Sequence, residues 1–326
     1  MSSTDKEQIL VCKGTSGMGN RILAACTAIL YGEITGCRVF IDWQEGNYAD
    51  TGTNAFPLFF NCPNPVLLES LPEDCLTTES ITPSVWKGKL DISFGKMRED
   101  LPKDQRENIS VDISKDNYHE DVLVFGHYTH QIYKLRDLFK EKFEPLVAMT
   151  DAEILRLILN RDFPLTPEVD QSVEDFKREK FGESTLGVHV RFTDMKIPVD
   201  KIIEKVQKVL GRNQDRTIFL ATDAEEVIGQ FKGIFPNVVT AEKWFPEAGG
   251  RLHLLDVPDK FENGVEAIRD IFLLKECDGL VFSSRSSFGR VASLLSSAPP
   301  EHIYDIEKKS LLERATGKVK SLFGKG

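Results

Sequence analysis

Hydrophobic positions fall first in a short unbroken run, ILVCK, from Ile9 to Lys13, and this predicts a buried strand. A Gly-rich loop, GTSGMGN, follows it. From Arg21 to Ile34 apolar residues recur at helical spacing until Gly36, a C-terminal cap signal. Arg38 to Trp43 is a second strand pattern, so the chain opens with a βαβ unit. Periodicity then fades through the aromatic and Pro-rich stretch TNAFPLFFNCPNP and on to about residue 130. Strands are expected there only near Leu90–Phe94 and Val122–His127. Helices are expected at 131–148, at 150–161 behind the capping box Thr150/Glu153, and at 166–181 with Pro167 in the first turn.

From Thr185 the alternation becomes regular. The strands TLGVHVRF, TIFLATD, Val238–Ala241, GLVFSS and HIYDI are separated by helical patterns near 199–211, 224–232, 264–277 and from 287. Such alternation is the mark of a doubly wound parallel sheet. The 326-residue length suits two domains, taken as 1–183 and 184–326. The tail 308–326 has one apolar helical face and an excess of basic residues. We read it as a terminal helix docked on the body, with weak peripheral membrane contact as its other reading.

Charge changes the picture in one respect. Residues 1–183 carry 20 Lys+Arg against 31 Asp+Glu, whereas 184–326 carry 21 against 20. An acidic half lacks the basic footprint that nucleic-acid binding needs, so nucleic acid is excluded as a partner. The near-neutral half is the better host for a small phosphorylated ligand. The six cysteines form no CxxC pair and read as reduced thiols, not a disulfide framework or zinc site. The opening MSSTDKEQ has no apolar secretory core, and the apolar run Ile22–Tyr31 is about half the roughly 20 residues a membrane span needs. A cytoplasmic protein without a transmembrane segment is expected.

Parallel α/β sheets bind ligands where strands end in loops. Four such loops carry suitable side chains. GTSGMGNR brings Gly17, Gly19, Asn20 and Arg21 to the start of a helix. It is not a dinucleotide fingerprint, because Ile22 stands where the third glycine belongs, and it has no P-loop lysine. GVHVRFTD puts His189 and Arg191 on one face of a strand, with Thr193 and Asp194 beginning the loop. An arginine there suits a phosphate-bearing ligand. FLATD ends on Asp223, and VFSSRSSFGR sets Ser286 and Ser287 at a helix start. No HExxH, GxSxG or Asp-x-Asp motif occurs, and His127 and His130 in GHYTHQIY read as a strand-end turn, not a metal pair.

GMGNR with the downstream IDW and TNAFPLFF resembles the N-terminal part of the NodZ-like fucosyltransferases. GVHVRFTD, FLATD, AIRDIFLLKECDGLVFSS and SSFGRVA are similar, in order and spacing, to motifs of the α1,6-fucosyltransferase family. The resemblance covers most of the chain and is weakest across about 62–165. It implies a GT-B fold, two Rossmann-like domains facing a cleft, with GDP-fucose as donor substrate, inversion at the anomeric carbon, and no metal or other cofactor. Position by position it implies Arg191 on the donor β-phosphate, His189 against the nucleotide, and Asp223 near base or ribose. Asp270 would read guanine, and Ser286 and Ser287 would lie near the diphosphate. The family's second arginine is replaced by Phe192, and its lysine falls one residue late, as Lys196, which leaves the diphosphate charge less neutralised.

The reading is therefore an inverting, metal-independent glycosyltransferase moving fucose from GDP-fucose to a glycan or other hydroxyl acceptor. Asp194 and Asp200, just past the HVR strand, are the candidates for general base. The alternatives are a related transferase using another nucleotide sugar and a catalytically silent nucleotide-sugar binder.

Overall fold

A computed structural model describes residues 7–139, 143–245 and 257–308. The tail expected as a terminal helix lies outside the described residues beyond Lys308. The chain builds two parallel sheets. In the first, β1 (Ile9–Lys13) is central, flanked by β2 (Arg38–Asp42) and β4 (Val122–Phe125), with β3 (Ile81–Thr82) on the far edge. The second runs β7 (Val238–Val239), β6 (Thr217–Thr222), β5 (Thr185–Val190), β8 (Gly279–Phe282), β9 (Ile303–Asp305). β1 and β5 are central and buried along their whole length, as sheets covered on both faces require.

Helix α1 (Met18–Thr35) follows β1, and all of it except Asn20, Glu33 and Thr35 is buried. A helix so enclosed must be apolar all round, and ILAACTAIL supplies that. It packs on β1 and β2, on α6 (Asp151–Asp162) and on α11 (Ser287–Leu295) of the second half. The short helices α2 (Phe56–Phe59), α3 (Asp74–Thr77), α4 (Phe94–Asp100) and α5 (Glu144–Val147) lie between β2 and α6. Next, α7 (Pro167–Lys180) packs on α10 (Lys260–Lys275), and its Phe176 meets Phe219 of β6 at 5.6 Å. On the opposite face of the second sheet, α8 (Val199–Leu210) and α9 (Glu225–Ile234) bury Ile202, Val206, Val227 and Phe231. One apolar cluster runs without a break from α1 through α6, α10 and α11, so the two halves share a core.

The regular second half and the capping box at α6 are as the sequence predicts; Thr150 Oγ1 accepts from Glu153 N, and the Glu153 carboxylate from Thr150 N. Two expectations fail. No strand forms at Leu90–Phe94, because Ser93 caps α4, accepting from Lys96 N at 3.1 Å. The edge position belongs instead to Ile81–Thr82. Within 131–148, Ile132–Leu138 is a 3-10 turn, and α5 starts afresh with Pro145 in its first turn.

Candidate functional site

The four strand-end loops singled out in the sequence converge on one cavity of about 330 Å³ between the halves. Gly17, Gly19, Asn20, His189, Arg191, Asp194, Asp223, Asp270, Ser286 and Ser287 all line it. Arg21, Thr193 and Asp200 do not.

Two helix N-termini meet at this cavity. α1 begins after Gly17, and α11 begins after Ser286, whose hydroxyl accepts from Gly289 N at 3.4 Å. Neither first turn contains an acid, so the positive ends of both dipoles face the cavity without an internal counter-charge. Gly19 permits the approach: a Cβ there would stand 2.6 Å from Phe288 N. Its role is to let two helix ends touch. Arg21 points the other way and is only 1% exposed. It ion-pairs with Glu45, donates Nε–H to Ser16 O at 2.9 Å, and lies against the rings of Trp43 and Tyr48. It braces the Gly-rich loop from beneath, where a Cβ on Gly14 would meet it.

β5 ends at Val190 because the next amides turn toward a side chain. Phe192 N donates to Asp223 Oδ1 at 2.7 Å, and the Thr193 N–H and hydroxyl also donate to Asp223. Arg191 is thereby turned into the cavity, while Phe192 packs against the apolar cluster on the sheet's other side. The Arg191 fork pairs with both oxygens of Asp194, at 2.7 and 3.0 Å, and its third arm reaches Asp223 Oδ2 at 3.0 Å. Burial alone would lower the Arg191 pKa; the two carboxylates outweigh it and raise it. Asp200 stands on the exposed first turn of α8, outside this network. His189, 4% exposed, stacks on Phe288 with ring centroids 4.9 Å apart. Burial drives its imidazole down to about 3, so it is neutral at pH 7.

The opposite wall is α10, where Asn263, Glu266 and Asp270 share one face at spacings of three and four residues. Asp270 is 3% exposed. Its Oδ2 pairs with Lys243, which also donates to Thr222 O at 3.2 Å, whereas Oδ1 has no hydrogen-bond partner among the described residues. A buried carboxylate oxygen left unpaired is costly, and a ligand donor would relieve it. Burial pushes the Asp270 pKa up, against the pull of Lys243. Glu266 accepts from Trp244 N at 3.2 Å.

Glu266 gives a direct check on this wall, since burial pushes its carboxyl up to about 7. An acid raised above its ordinary value of 4.5 loses folded-state stability as pH climbs from there to about 7. Glu266→Gln is therefore expected to match the wild type near pH 4 and exceed it above pH 7. The gain should be on the order of 1 kcal/mol, discounted for the partial exposure of the group. Denaturant melts at the two pH values measure it, and an equal difference at both would contradict the burial argument.

Sequence reasoning missed Lys243, Glu266, Asn263, Tyr48, Tyr128, Thr129, Arg285 and Arg290, all of which line the cavity. The α10 group was readable, because ENGVEAIRD places Asn263 and Glu266 on the face of Asp270. Lys243 and Tyr48 sit in loops with no periodic signal. His127 and His130 form the expected turn, with Thr129 N donating to His127 Nδ1 at 3.2 Å. Among the described residues no cluster of three or more His, Cys, Asp or Glu could hold a metal ion, and no helix is long and apolar enough to cross a membrane.

The chain is similar to nodulation protein Z of Bradyrhizobium diazoefficiens, 24% identical over 337 residues that cover 91% of this chain and 81% of the relative. Nodulation protein Z of Azorhizobium caulinodans is 25% identical over 348 residues, covering 94% and 93%. Among solved structures, the NodZ α-1,6-fucosyltransferase soaked with GDP-fucose superposes with a TM-score of 0.61 at 20% identity, over 89% of this chain and 93% of that one. The fold is thus the GT-B arrangement of two facing Rossmann-like sheets. The model of the nodulation protein Z (NodZ) family matches residues 145–316, just over half of the sequence, and the chain belongs to that family.

Proposed function

We propose that the protein is an inverting, metal-independent glycosyltransferase that moves fucose from GDP-fucose to a hydroxyl of a glycan. The observation that carries the donor reading is Asp270 Oδ1, a buried acceptor without a partner among the described residues at the cavity wall. A guanine edge offers a ring N–H beside an exocyclic amine, two donors that a carboxylate accepts, whereas uracil offers one N–H between carbonyls. Lys243, paired with Asp270, pulls its pKa down against the larger upward push of burial. Family membership and the GDP-fucose soaked into a NodZ structure point the same way.

In this reading the diphosphate lies where the N-termini of α1 and α11 meet, close to Ser286 and Ser287. Arg191 exchanges Asp194 for a β-phosphate oxygen. Asp194 then takes the acceptor hydroxyl proton, the acceptor oxygen bonds to the anomeric carbon from the far face, and GDP leaves with the electron pair of the broken bond. Arg191 and the helix N–H groups stabilise the charge growing on the leaving phosphate, the task a divalent ion performs elsewhere. His189, neutral and stacked on Phe288, would form a flat aromatic wall against the nucleoside. The free, mostly buried cysteines suit a reducing, cytoplasmic setting.

GDP release from GDP-fucose in excess chelator tests this reading. Turnover is expected to proceed unchanged, slowly as donor hydrolysis and faster with a glycan acceptor. Activity abolished by chelator and restored by manganese, or equal turnover of UDP-sugars, would contradict it.

A further inference from the structure

The charged residues lining the cavity are four cations, Arg191, Lys243, Arg285 and Arg290, and four carboxylates, Asp194, Asp223, Glu266 and Asp270. Their pairing is uneven. Arg191 is held by Asp194 and Asp223, and Lys243 by Asp270. Arg285 is exposed to water. Arg290 is half-buried and has no carboxylate partner among the described residues. Burial lowers its pKa. Its two hydrogen bonds go to neutral groups across the cleft: NH1 donates to Thr129 Oγ1 at 3.4 Å, and NH2 to His130 Nε2 at 2.9 Å.

That second contact makes His130 Nε2 the acceptor, so the imidazole is neutral, and burial followed by the Arg290 charge holds its pKa below the ordinary value. The His130 end is itself fixed, because Gln131 N donates to Thr27 Oγ1 of α1 at 2.9 Å. Arg290 therefore sits one turn inside α11, near the convergent N-termini of α1 and α11, at the wall supplied by the first half. Among the described residues two of its five N–H groups are engaged, which leaves three for a ligand. A half-buried guanidinium without a counter-ion is a costly arrangement that an anion would relieve.

We propose that Arg290 is the second diphosphate ligand of this enzyme, binding the terminal phosphate from the side opposite Arg191. It supplies the positive charge that Phe192, packed against the apolar cluster, does not bring to the cavity. The proposal rests on the donor reading above in taking that phosphate to be the β-phosphate of GDP. Thr129 and His130 are positioning residues for the guanidinium.

Calorimetric titrations of GDP, GMP and inorganic pyrophosphate into the wild type, Arg290→Gln and Arg290→Lys test it. Arg290→Gln is expected to weaken GDP and pyrophosphate about tenfold to a hundredfold, the range for a lost charge-assisted contact, and GMP by less than about threefold. Arg290→Lys should recover most of the loss, because it restores the charge. Equal losses for GDP and GMP would mean that Arg290 only braces the cleft, and would overturn the proposal, as would unchanged GDP and pyrophosphate binding in a folded variant. If wild-type protein binds pyrophosphate through Arg290 but shows no preference for GDP over other nucleotides, the anion site stands and the guanine reading falls.

Discussion

Arg191→Ala is expected to lower GDP-fucose turnover on the order of a hundredfold to a thousandfold while leaving the fold intact. The size follows from removing a cation aimed at charge that develops on the leaving phosphate, an interaction stronger in the transition state than in the ground state. The ground state suffers as well. Without the guanidinium, Asp194 and Asp223 lose the cation they share, and a diphosphate would meet two carboxylates. The loop should nevertheless keep its shape, since Asp223 is independently held by the amides of Phe192 and Thr193 and by the Thr193 hydroxyl. Arg191→Lys should rescue little, because a point charge cannot span both Asp194 oxygens and Asp223 as the planar fork does. Turnover by initial rates and fold by circular dichroism are the measurements. Normal turnover in a folded Arg191→Ala protein would remove the donor site from this cavity.

Asp270→Asn has the second large effect, on selectivity. The amide that replaces one carboxylate oxygen is a donor, so it opposes the guanine N–H groups where the acid accepted them. It also removes the negative charge paired with Lys243, whose other hydrogen bond among the described residues goes to Thr222 O. GDP affinity is expected to fall on the order of a hundredfold, by loss of charge-assisted bonds, while UDP affinity changes little. A melt of the unliganded variant separates this from general destabilisation. Equal losses for GDP and UDP would show that Asp270 serves the architecture of α10 and not the base.

The second sheet was legible because each strand there is a short apolar run closed by a polar loop, and each helix between them repeats at helical spacing. His189 and Arg191 could be assigned to one face by alternation alone, and both line the cavity. Arg21 stays out of the cavity for a physical reason: it belongs to the same motif as Gly17 and Gly19, but the helix carries it around to the buried side, under Gly14. Asp200 followed the right strand, yet its helix places it on an exposed first turn. Lys243 and Tyr48 lie in irregular segments, where no periodicity says which way a side chain faces. Arg290 was visible as the last residue of SSFGR, but its significance comes from having no carboxylate partner among the described residues, and only packing reveals that.

The central claim is that the cavity recognises a guanosine diphosphate. Isothermal titration of the wild-type protein with GDP and with UDP, side by side in the same buffer with chelator present, tests it most directly. The expected result is GDP binding at least about tenfold tighter than UDP, a difference of about 1.4 kcal/mol that one charge-assisted pair to the base can supply. Equal affinities, or a preference for UDP, would contradict the assignment of Asp270 and with it the choice of GDP-fucose as donor.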